Sequence, residues 1–116
     1  MEIEHKETKN YIGKEVTVIV DRPLGSKHPK HGFVYQVNYG YIPGVFSPDG
    51  EEIDAYILGK NEPVKSYKGR VIALIHRLDD DDDKLIVTAE NMEFTDGQIE
   101  KLVEFQEKWF KHEIIR

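Results

Sequence analysis

Runs of apolar and β-branched residues predict five short strands along the chain. The runs occupy residues 15–20, 33–42, 53–58, 70–78 and 84–89. Segments rich in Pro, Gly, Ser and Asp separate them, and such segments favour loops and turns. In the third run, strict alternation places Ile53, Ala55 and Ile57 on one face of the strand and the residues between them on the other. The fourth run is almost continuously apolar, so we expect it to be the central strand.

The apolar period changes towards the C-terminal end of the chain. Thr95 followed by Gln98 is typical of the capping box that begins a helix. The apolar residues that follow recur near helical spacing: Ile99, Leu102, Val103, Trp109, Phe110 and Ile114. Five strands and one C-terminal helix predict a mainly β domain of the α+β class. We expect a small five-stranded barrel of the oligonucleotide-binding type with the helix packed on it, and residues 1–116 as a single domain.

Composition and charge limit the classes of function that the chain can have. It has 116 residues, of which 39% are hydrophobic, so it can bury a core of its own. It contains no cysteine, which excludes disulfides and thiolate metal sites and favours a cytoplasmic location. We expect no signal peptide and no membrane partner, because the first ten residues are polar and no apolar run could span a bilayer. The net charge of −6 argues against nucleic-acid binding. The sequence does not define the oligomeric state, and it is compatible with a homo-oligomer.

Two acidic clusters suggest a metal site. Residues 49–54 carry four carboxylates, and residues 79–83 are all aspartate. Alternate turns of an antiparallel sheet can lie at the same end, so Asp49, Asp54 and one of the later aspartates could converge. Converging carboxylates repel each other, and hard divalent cations such as Mg²⁺ or Mn²⁺ relieve that repulsion. Because histidine is sparse in these segments, the expected ligands favour Mg²⁺ over Zn²⁺.

Simpler structural explanations compete with this hypothesis. A run of aspartates is more often a solvated turn than a metal site, and Asp49 with Gly50 has a purely structural use in a turn. Asp54 is harder to explain in this way, since it interrupts a strand, where Asp is depleted. Tyrosines that share one face of a strand, such as Tyr35 and Tyr39, more often pack than catalyse.

The segment VNYGYIPGVFSPDGEEIDAYILG, residues 37–59, resembles the signature region of the soluble family I inorganic pyrophosphatases. In that family an Asn-Tyr-Gly-Tyr-Ile stretch precedes Asp-Gly-Asp-Pro-hydrophobic-Asp, and this chain has DGEEID at residues 49–54. The resemblance extends more weakly over residues 16–89 and loosely into the expected C-terminal helix. It implies an oligonucleotide-binding-type barrel that hydrolyses pyrophosphate with several Mg²⁺ ions.

The resemblance also implies roles for individual residues. The matching metal ligands are Asp21, Asp49, Asp54, Asp79 and Asp82. The matching phosphate-binding or neighbouring residues are Lys30, Tyr35, Tyr39 and Lys84, with Lys111 as a candidate product-binding lysine. Glu51 replaces the aspartate that orients or deprotonates the attacking water. An alternative for Lys111 is an ion pair with Glu107, four residues earlier on the expected helix.

Three features depart from the family pattern. Glu51 is one methylene longer than the usual aspartate. The hairpin that normally separates the lysine loop from the tyrosine strand is missing between Lys30 and Tyr35, and with it a phosphate-binding arginine, which Arg22 or Arg77 could replace. Phe110 takes the place of a tyrosine.

The expected function is metal-dependent hydrolysis of inorganic pyrophosphate by a metal-activated water. The predicted catalytic residues are Glu51, Asp54, Tyr39, Lys30 and Lys84, and Arg22 joins the predicted substrate-binding residues. Two alternatives remain. The chain could hydrolyse another small diphosphate compound, or it could be a relative that binds metal and phosphate without turnover.

Overall fold

Six strands form one sheet, and a helix precedes the last of them. The structure is a computed structural model that describes residues 8–79, 82–89 and 91–116. In chain order its elements are β1 (Glu15–Arg22), β2 (Asn38–Phe46), β3 (Glu52–Leu58), β4 (Ser66–Arg77), β5 (Asp83–Thr88), α1 (Asp96–Glu107) and β6 (His112–Ile115).

Five of the strands close into a barrel. The sheet order is β1-β2-β3-β5-β4-β6, and an additional pairing of β1 with β4 joins the two ends of the five-stranded part. Strands β3 and β5 pair in parallel, and the other pairings are antiparallel. The predicted five-stranded barrel with a C-terminal helix is confirmed.

Strand β4 takes part in two separate pairings along one edge. Its residues 66–70 pair with β1 and close the barrel, whereas its residues 74–77 pair with β6. An edge strand with free backbone groups invites pairing. The short strand β6 therefore covers the length of β4 that β1 does not reach.

Strand alternation divides the core into two layers. Residues Ile53, Ala55 and Ile57 of β3 belong to a cluster of strand residues inside the barrel. The opposite face of β3 carries Tyr56 and Leu58, which pack in a second cluster with residues of α1. The predicted two faces of this strand are confirmed, and Asp54 lies on the face that carries Tyr56.

The predicted start of the helix is confirmed, but its predicted extent is wrong. Thr95 Oγ1 accepts from the backbone N–H of Gln98, and Gln98 Oε1 accepts from the backbone N–H of Thr95. The helix ends at Glu107, so Trp109, Phe110 and Ile114 do not continue it. The backbone of β6 pairs with β4 instead, and this pairing outweighs the helical spacing of the side chains. In the described part of the chain, no helix has the length and apolar character needed to cross a membrane.

The second strand also differs from its prediction. It begins at Asn38 and runs to Phe46, so it includes Pro43 and continues beyond residue 42, the end of the predicted run. Residues 33–37 lie outside the strand, and a single bridge from Lys27 to Val34 ties them to the preceding loop. The backbone of Tyr35 bonds to Gly25 and Ser26, which replaces regular sheet pairing there.

Gly40 allows β1 and β2 to approach closely. It pairs with Val20 across the strands. A Cβ atom at this position would lie 1.9 Å from the carbonyl oxygen of Ile19, which is far inside van der Waals contact. The glycine between Tyr39 and Tyr41 is therefore required by packing in the barrel.

We expect Gly40→Ala to lower the free energy of unfolding by about 1–3 kcal/mol, because the added methyl forces β1 away from β2. Gly97→Ala is the matched control. A Cβ atom at Gly97, in the first turn of α1, has Thr95 Oγ1 as its nearest neighbour at 3.9 Å, and helical alanine is favoured over glycine. Urea denaturation of both variants measures the difference. Equal losses of stability would show that the close approach at Gly40 is unimportant.

Candidate active site

Asp54 is held in the site by donors from two neighbouring strands. In β3 it pairs across the sheet with Tyr41 of β2 and Lys84 of β5. Lys84 Nζ donates to Asp54 Oδ2 at 2.7 Å, and the hydroxyl of Tyr39 donates to the same oxygen at 2.8 Å. One oxygen of the Asp54 carboxylate is therefore fixed in position.

The ammonium of Lys84 is buried between two carboxylates. Its side chain is 3% exposed, and Nζ lies 2.7 Å from Asp54 Oδ2 and 2.8 Å from Asp82 Oδ2. Burial raises the pKa of Asp82, and the charge of Lys84 opposes that rise. Removing an ion from water is costly unless partners compensate, so the lysine keeps the two carboxylates together.

A second buried ion pair connects β4 to the end of α1. Arg77 Nε donates to Glu107 Oε1 at 3.0 Å and Arg77 Nη2 donates to Glu107 Oε2 at 2.9 Å, which is a bidentate arrangement. Burial raises the pKa of Glu107, but the bonds and charge of Arg77 outweigh it, and the net pKa is lowered. Arg77 Nη1 also donates to Asp82 Oδ2 at 3.3 Å. Because Asp82 also binds Lys84, it links the Arg77–Glu107 pair to the ion pairs of Lys84.

Buried tyrosines complete the floor of the site. The Gln106 side chain donates to the hydroxyl of Tyr56 at 2.6 Å and accepts from the hydroxyl of Tyr35 at 2.7 Å. Burial, with the nearby charge of Asp54, raises the pKa of Tyr39 well above its usual value. Tyr39 therefore stays protonated at neutral pH and can act as a hydrogen-bond donor.

A cleft of about 500 Å³ opens above this network. One part of its wall is charged and contains Asp21, Arg22, Asp54, Arg77 and Lys84. The rest is largely aromatic and contains Phe33, Tyr35, Tyr39, Trp109 and Phe110 together with His28, His31 and Gln106. Partial burial raises the pKa of Asp21, with Arg22 opposing that rise and Asp54 adding to it. We call this space the aromatic cleft.

A second cleft, of about 580 Å³, also has Asp54 in its wall. It is lined by Asp49, Glu51, Glu52, Asp54 and Asp82 with Tyr41, Phe46 and Gly50. The backbone N–H of Glu51 donates to Asp49 Oδ1 at 2.9 Å, which holds the turn together. We call this space the acidic cleft, and Asp54 is the residue that both clefts share.

Comparison with known proteins identifies the family. The family model described as inorganic pyrophosphatase matches residues 1–114, which is nearly the whole chain. The chain belongs to the inorganic pyrophosphatase family. The predicted resemblance is confirmed, and so is the expected enzyme class, an inorganic diphosphatase, at the level of the family. Membership also implies a divalent metal cofactor.

Solved structures of inorganic pyrophosphatases share the fold. The enzyme from Ehrlichia chaffeensis matches with a TM-score of 0.67 at 18% identity, over 88% of this chain and 85% of that one. The enzyme from Helicobacter pylori matches with a TM-score of 0.65 at 15% identity, over 90% of this chain and 84% of that one. The enzyme from Neisseria gonorrhoeae matches with a TM-score of 0.62 at 19% identity, over 80% of this chain and 72% of that one.

Most of the site residues predicted from the sequence line one of the two clefts. Those lining the aromatic cleft are Asp21, Arg22, Tyr35, Tyr39, Asp54 and Lys84, and those lining the acidic cleft are Asp49, Glu51, Asp54 and Asp82. Arg22 and Arg77 are the two candidates to replace the phosphate-binding arginine of the missing hairpin, and both line the aromatic cleft.

Three predicted residues line neither of these clefts. Lys30 is exposed in the loop, where its backbone N–H donates to His28 Nδ1 at 3.1 Å. The carboxylate of Asp79 accepts from the backbone N–H of Lys111 at 3.1 Å. The alternative ion pair of Lys111 with Glu107 is wrong, because Lys111 lies beyond the end of α1 and Glu107 binds Arg77.

The aromatic wall was missed from the sequence. Helical spacing predicts Trp109 and Phe110 on the apolar face of a longer helix, whereas they follow the end of α1 and line the cleft. His28 and His31 belong to a loop that offers no periodic pattern. The sequence carries no local signal for this wall, because it depends on a contact between distant residues: Arg77 stacks on the Phe110 ring at 3.7 Å from its centroid.

The simple explanation of the aspartate run as a solvated turn is wrong for Asp83. This residue is 0% exposed in β5. Its carboxylate accepts from the hydroxyl of Thr8 at 3.0 Å and lies 2.9 Å from His76 Nδ1, while its backbone N–H donates to the hydroxyl of Ser47. Residues 80 and 81 of the run lie outside the described residues.

The donor set of the site fits a hard divalent cation. The candidate ligands offer carboxylate oxygen, which Mg²⁺ and Mn²⁺ prefer. Asp54 and Asp82 already converge on one cation, the ammonium of Lys84, and Asp21 is close enough to Asp54 for its pKa to respond. Within the described residues, no three carboxylate or imidazole groups lie close enough to hold a metal ion as they stand.

We expect Asp83→Asn to lower the free energy of unfolding by about 1–3 kcal/mol, because it weakens buried bonds to Thr8 and His76. Asp79→Asn removes the same charge from an exposed position of the same run and should change stability by about 0.5 kcal/mol or less. Chemical denaturation at pH 7 compares the two variants. Equal stability would contradict a structural role for Asp83.

Proposed function

We propose that this chain hydrolyses inorganic pyrophosphate where the aromatic and acidic clefts meet, with Mg²⁺ as its cation. The observation that carries the proposal is the position of Asp54. It is hydrogen-bonded to Tyr39 and Lys84 and lines both clefts, so it belongs both to a cleft with donors suited to phosphate and to one with carboxylates suited to cations.

The phosphate-binding donors would come from the aromatic cleft. Lys84, Arg22 and Arg77 supply positive charge there, and the hydroxyl of Tyr39 supplies a neutral donor. Arg77 is held by its bidentate bond to Glu107, which fixes its direction before a ligand arrives. Such pre-oriented donors stabilise the charge that develops on the phosphate oxygens in the transition state.

The cation would be held by Asp54 and Asp82 with Asp21 or Asp49. When bound, it neutralises phosphate oxygens and makes the attacking water more acidic. Glu51 lies in the same cleft as Asp54 and would orient that water or accept its proton. Asp79 remains a predicted ligand from the neighbouring turn.

Two lysines and a tyrosine remain predicted contacts of the substrate or product. Lys30 lies between His28 and His31, which both line the aromatic cleft, so its long side chain starts at the rim. Lys111 follows Phe110, another lining residue. Tyr35 lines the cleft directly, with its hydroxyl bonded to Gln106.

The cellular setting follows from composition alone. We infer a cytoplasmic protein that acts on a small phosphate compound, without a nucleic-acid or membrane partner.

Purified protein should release phosphate from pyrophosphate with Mg²⁺ and lose that activity when the cation is chelated. The reason is that a chain of net charge −6 needs a cation to hold a pyrophosphate anion among carboxylates. A colorimetric phosphate assay measures this, with Mn²⁺ as a second cation. Full activity after chelation would contradict the proposal. Cation-dependent pyrophosphate binding without phosphate release would identify a non-catalytic relative.

Asp54→Asn should reduce pyrophosphate turnover by at least about a hundredfold, because it removes the charge that both clefts share. It should also reduce the rise in melting temperature that Mg²⁺ causes by binding the native state. Glu52→Gln is the matched control, since Glu52 lines the acidic cleft two residues away and its carboxylate binds the Gly44 N–H. NaCl at matched ionic strength controls for screening. Similar losses in both variants would refute a specific role for Asp54.

A further inference from the structure

The aromatic end of the cleft is unusual for a site that binds only a small, fully charged anion. Trp109 is 56% exposed, although it is a large apolar side chain. Its ring centroid lies 5.4 Å from that of Phe33 and 6.4 Å from that of His31. Clefts of about 300–1,000 Å³ with apolar walls and a few convergent polar groups are typical of sites for organic ligands of drug size.

The rings form a continuous path from the rim to the charged residues. The centroids of Trp109 and Phe33, of Phe33 and Tyr35, and of Tyr35 and Tyr39 are each 5.4 Å apart. Tyr39 ends the path, with its hydroxyl on Asp54. A ligand with a flat apolar part and a phosphate part could therefore contact both ends at once.

The rim also presents flat faces. The rings of His31 and Phe33 are within 3° of parallel at a centroid separation of 6.3 Å. Burial and the neighbouring groups His31, Arg22 and Lys30 lower the pKa of His28, which favours the neutral form of this ring. Exposed ring faces are suited to stacking on a planar heterocycle.

We propose that this cleft also binds nucleoside diphosphates, with the base stacked against Trp109 and the phosphates on Arg22, Arg77 and Lys84, and that the enzyme hydrolyses their phosphoanhydride bond. The inference rests on the proposed function, because it uses the same phosphate-binding residues and the same attacking water. It extends the substrate from inorganic pyrophosphate to diphosphates that carry a planar ring.

The reaction is the same displacement with a different leaving group. The oxygen of water forms a bond to the terminal phosphorus, and the bond from that phosphorus to the bridging oxygen breaks. The electron pair stays on the bridging oxygen, which leaves as part of the nucleoside monophosphate. A proton from the water passes to Glu51 or to solvent, and the products are inorganic phosphate and the monophosphate. A divalent cation is required, as for pyrophosphate.

Trp109 provides a direct measurement, because it is the single tryptophan of the chain. In the presence of Mg²⁺, α,β-methylene-ADP should quench its fluorescence by stacking on the indole. Methylenediphosphonate, which has the phosphate part without a ring, should bind with little quenching. Failure of α,β-methylene-ADP to quench, at concentrations that displace methylenediphosphonate, would overturn the inference.

Variants test the same point through catalysis. Trp109→Leu keeps an apolar side chain but removes the stacking surface, so kcat/KM for ADP relative to that for pyrophosphate should fall by about tenfold. His31→Ala, at an exposed position of the rim, should shift the ratio in the same direction. Tyr67→Leu is the control, since Tyr67 lies in β4 outside both clefts, and the ratio should not change.

The outcomes separate this inference from the proposed function. Hydrolysis of pyrophosphate without binding or hydrolysis of ADP would overturn the inference and leave the proposed function intact. Hydrolysis of ADP without hydrolysis of pyrophosphate would overturn the proposed function and support the inference. Stronger competition by geranyl diphosphate than by ADP would show that the wall selects flexible apolar chains, and would overturn the preference for a planar ring.

Discussion

The arrangement of the site depends on the burial of one ammonium group. Lys84 has a side chain that is 3% exposed, and a charge removed from water to that extent must have close partners. Asp54 and Asp82 provide them, and each also bonds to another group, Tyr39 and Arg77 respectively. Because these bonds share atoms, moving one side chain disturbs the others. Ion pairs therefore connect β3, β5 and the end of β4, in addition to the backbone hydrogen bonds of the sheet.

The arginine extends this network to the helix. Arg77 binds Glu107 in the last turn of α1, and Glu107 in turn accepts from the hydroxyl of Tyr56 in the sheet. The helix thus ends where its final carboxylate meets the barrel, and the following residues, Trp109 and Phe110, are brought to the rim of the cleft. The charged and aromatic parts of the site are consequences of one packing arrangement between α1 and the sheet.

Local patterns predict that five barrel strands exist and where the helix starts, because those features depend on residues close in sequence; the bounds of β2 are the exception. The alternation around Asp54 and the capping box at Thr95 are of this kind. The burial of Asp83 could not be predicted, since it depends on partners 75 and 7 residues away, Thr8 and His76. The end of α1 was missed for a similar reason. The helix ends where it does because β6 pairs with a distant part of β4, and the local spacing of residues does not predict that pairing.

The double pairing of β4 has a consequence for how the chain folds as it is synthesised. Closure of the barrel joins Glu15 to Arg70, so β1 has no partner on that edge until the first part of β4 has been made. Contacts between residues so far apart form slowly, because the intervening chain must lose its freedom first. During that interval the free edge of β1 can pair with a neighbouring chain. Until then the growing chain carries β1, β2 and β3 without their closing strand, and β6 can pair with β4 only after both parts of β4 have been made.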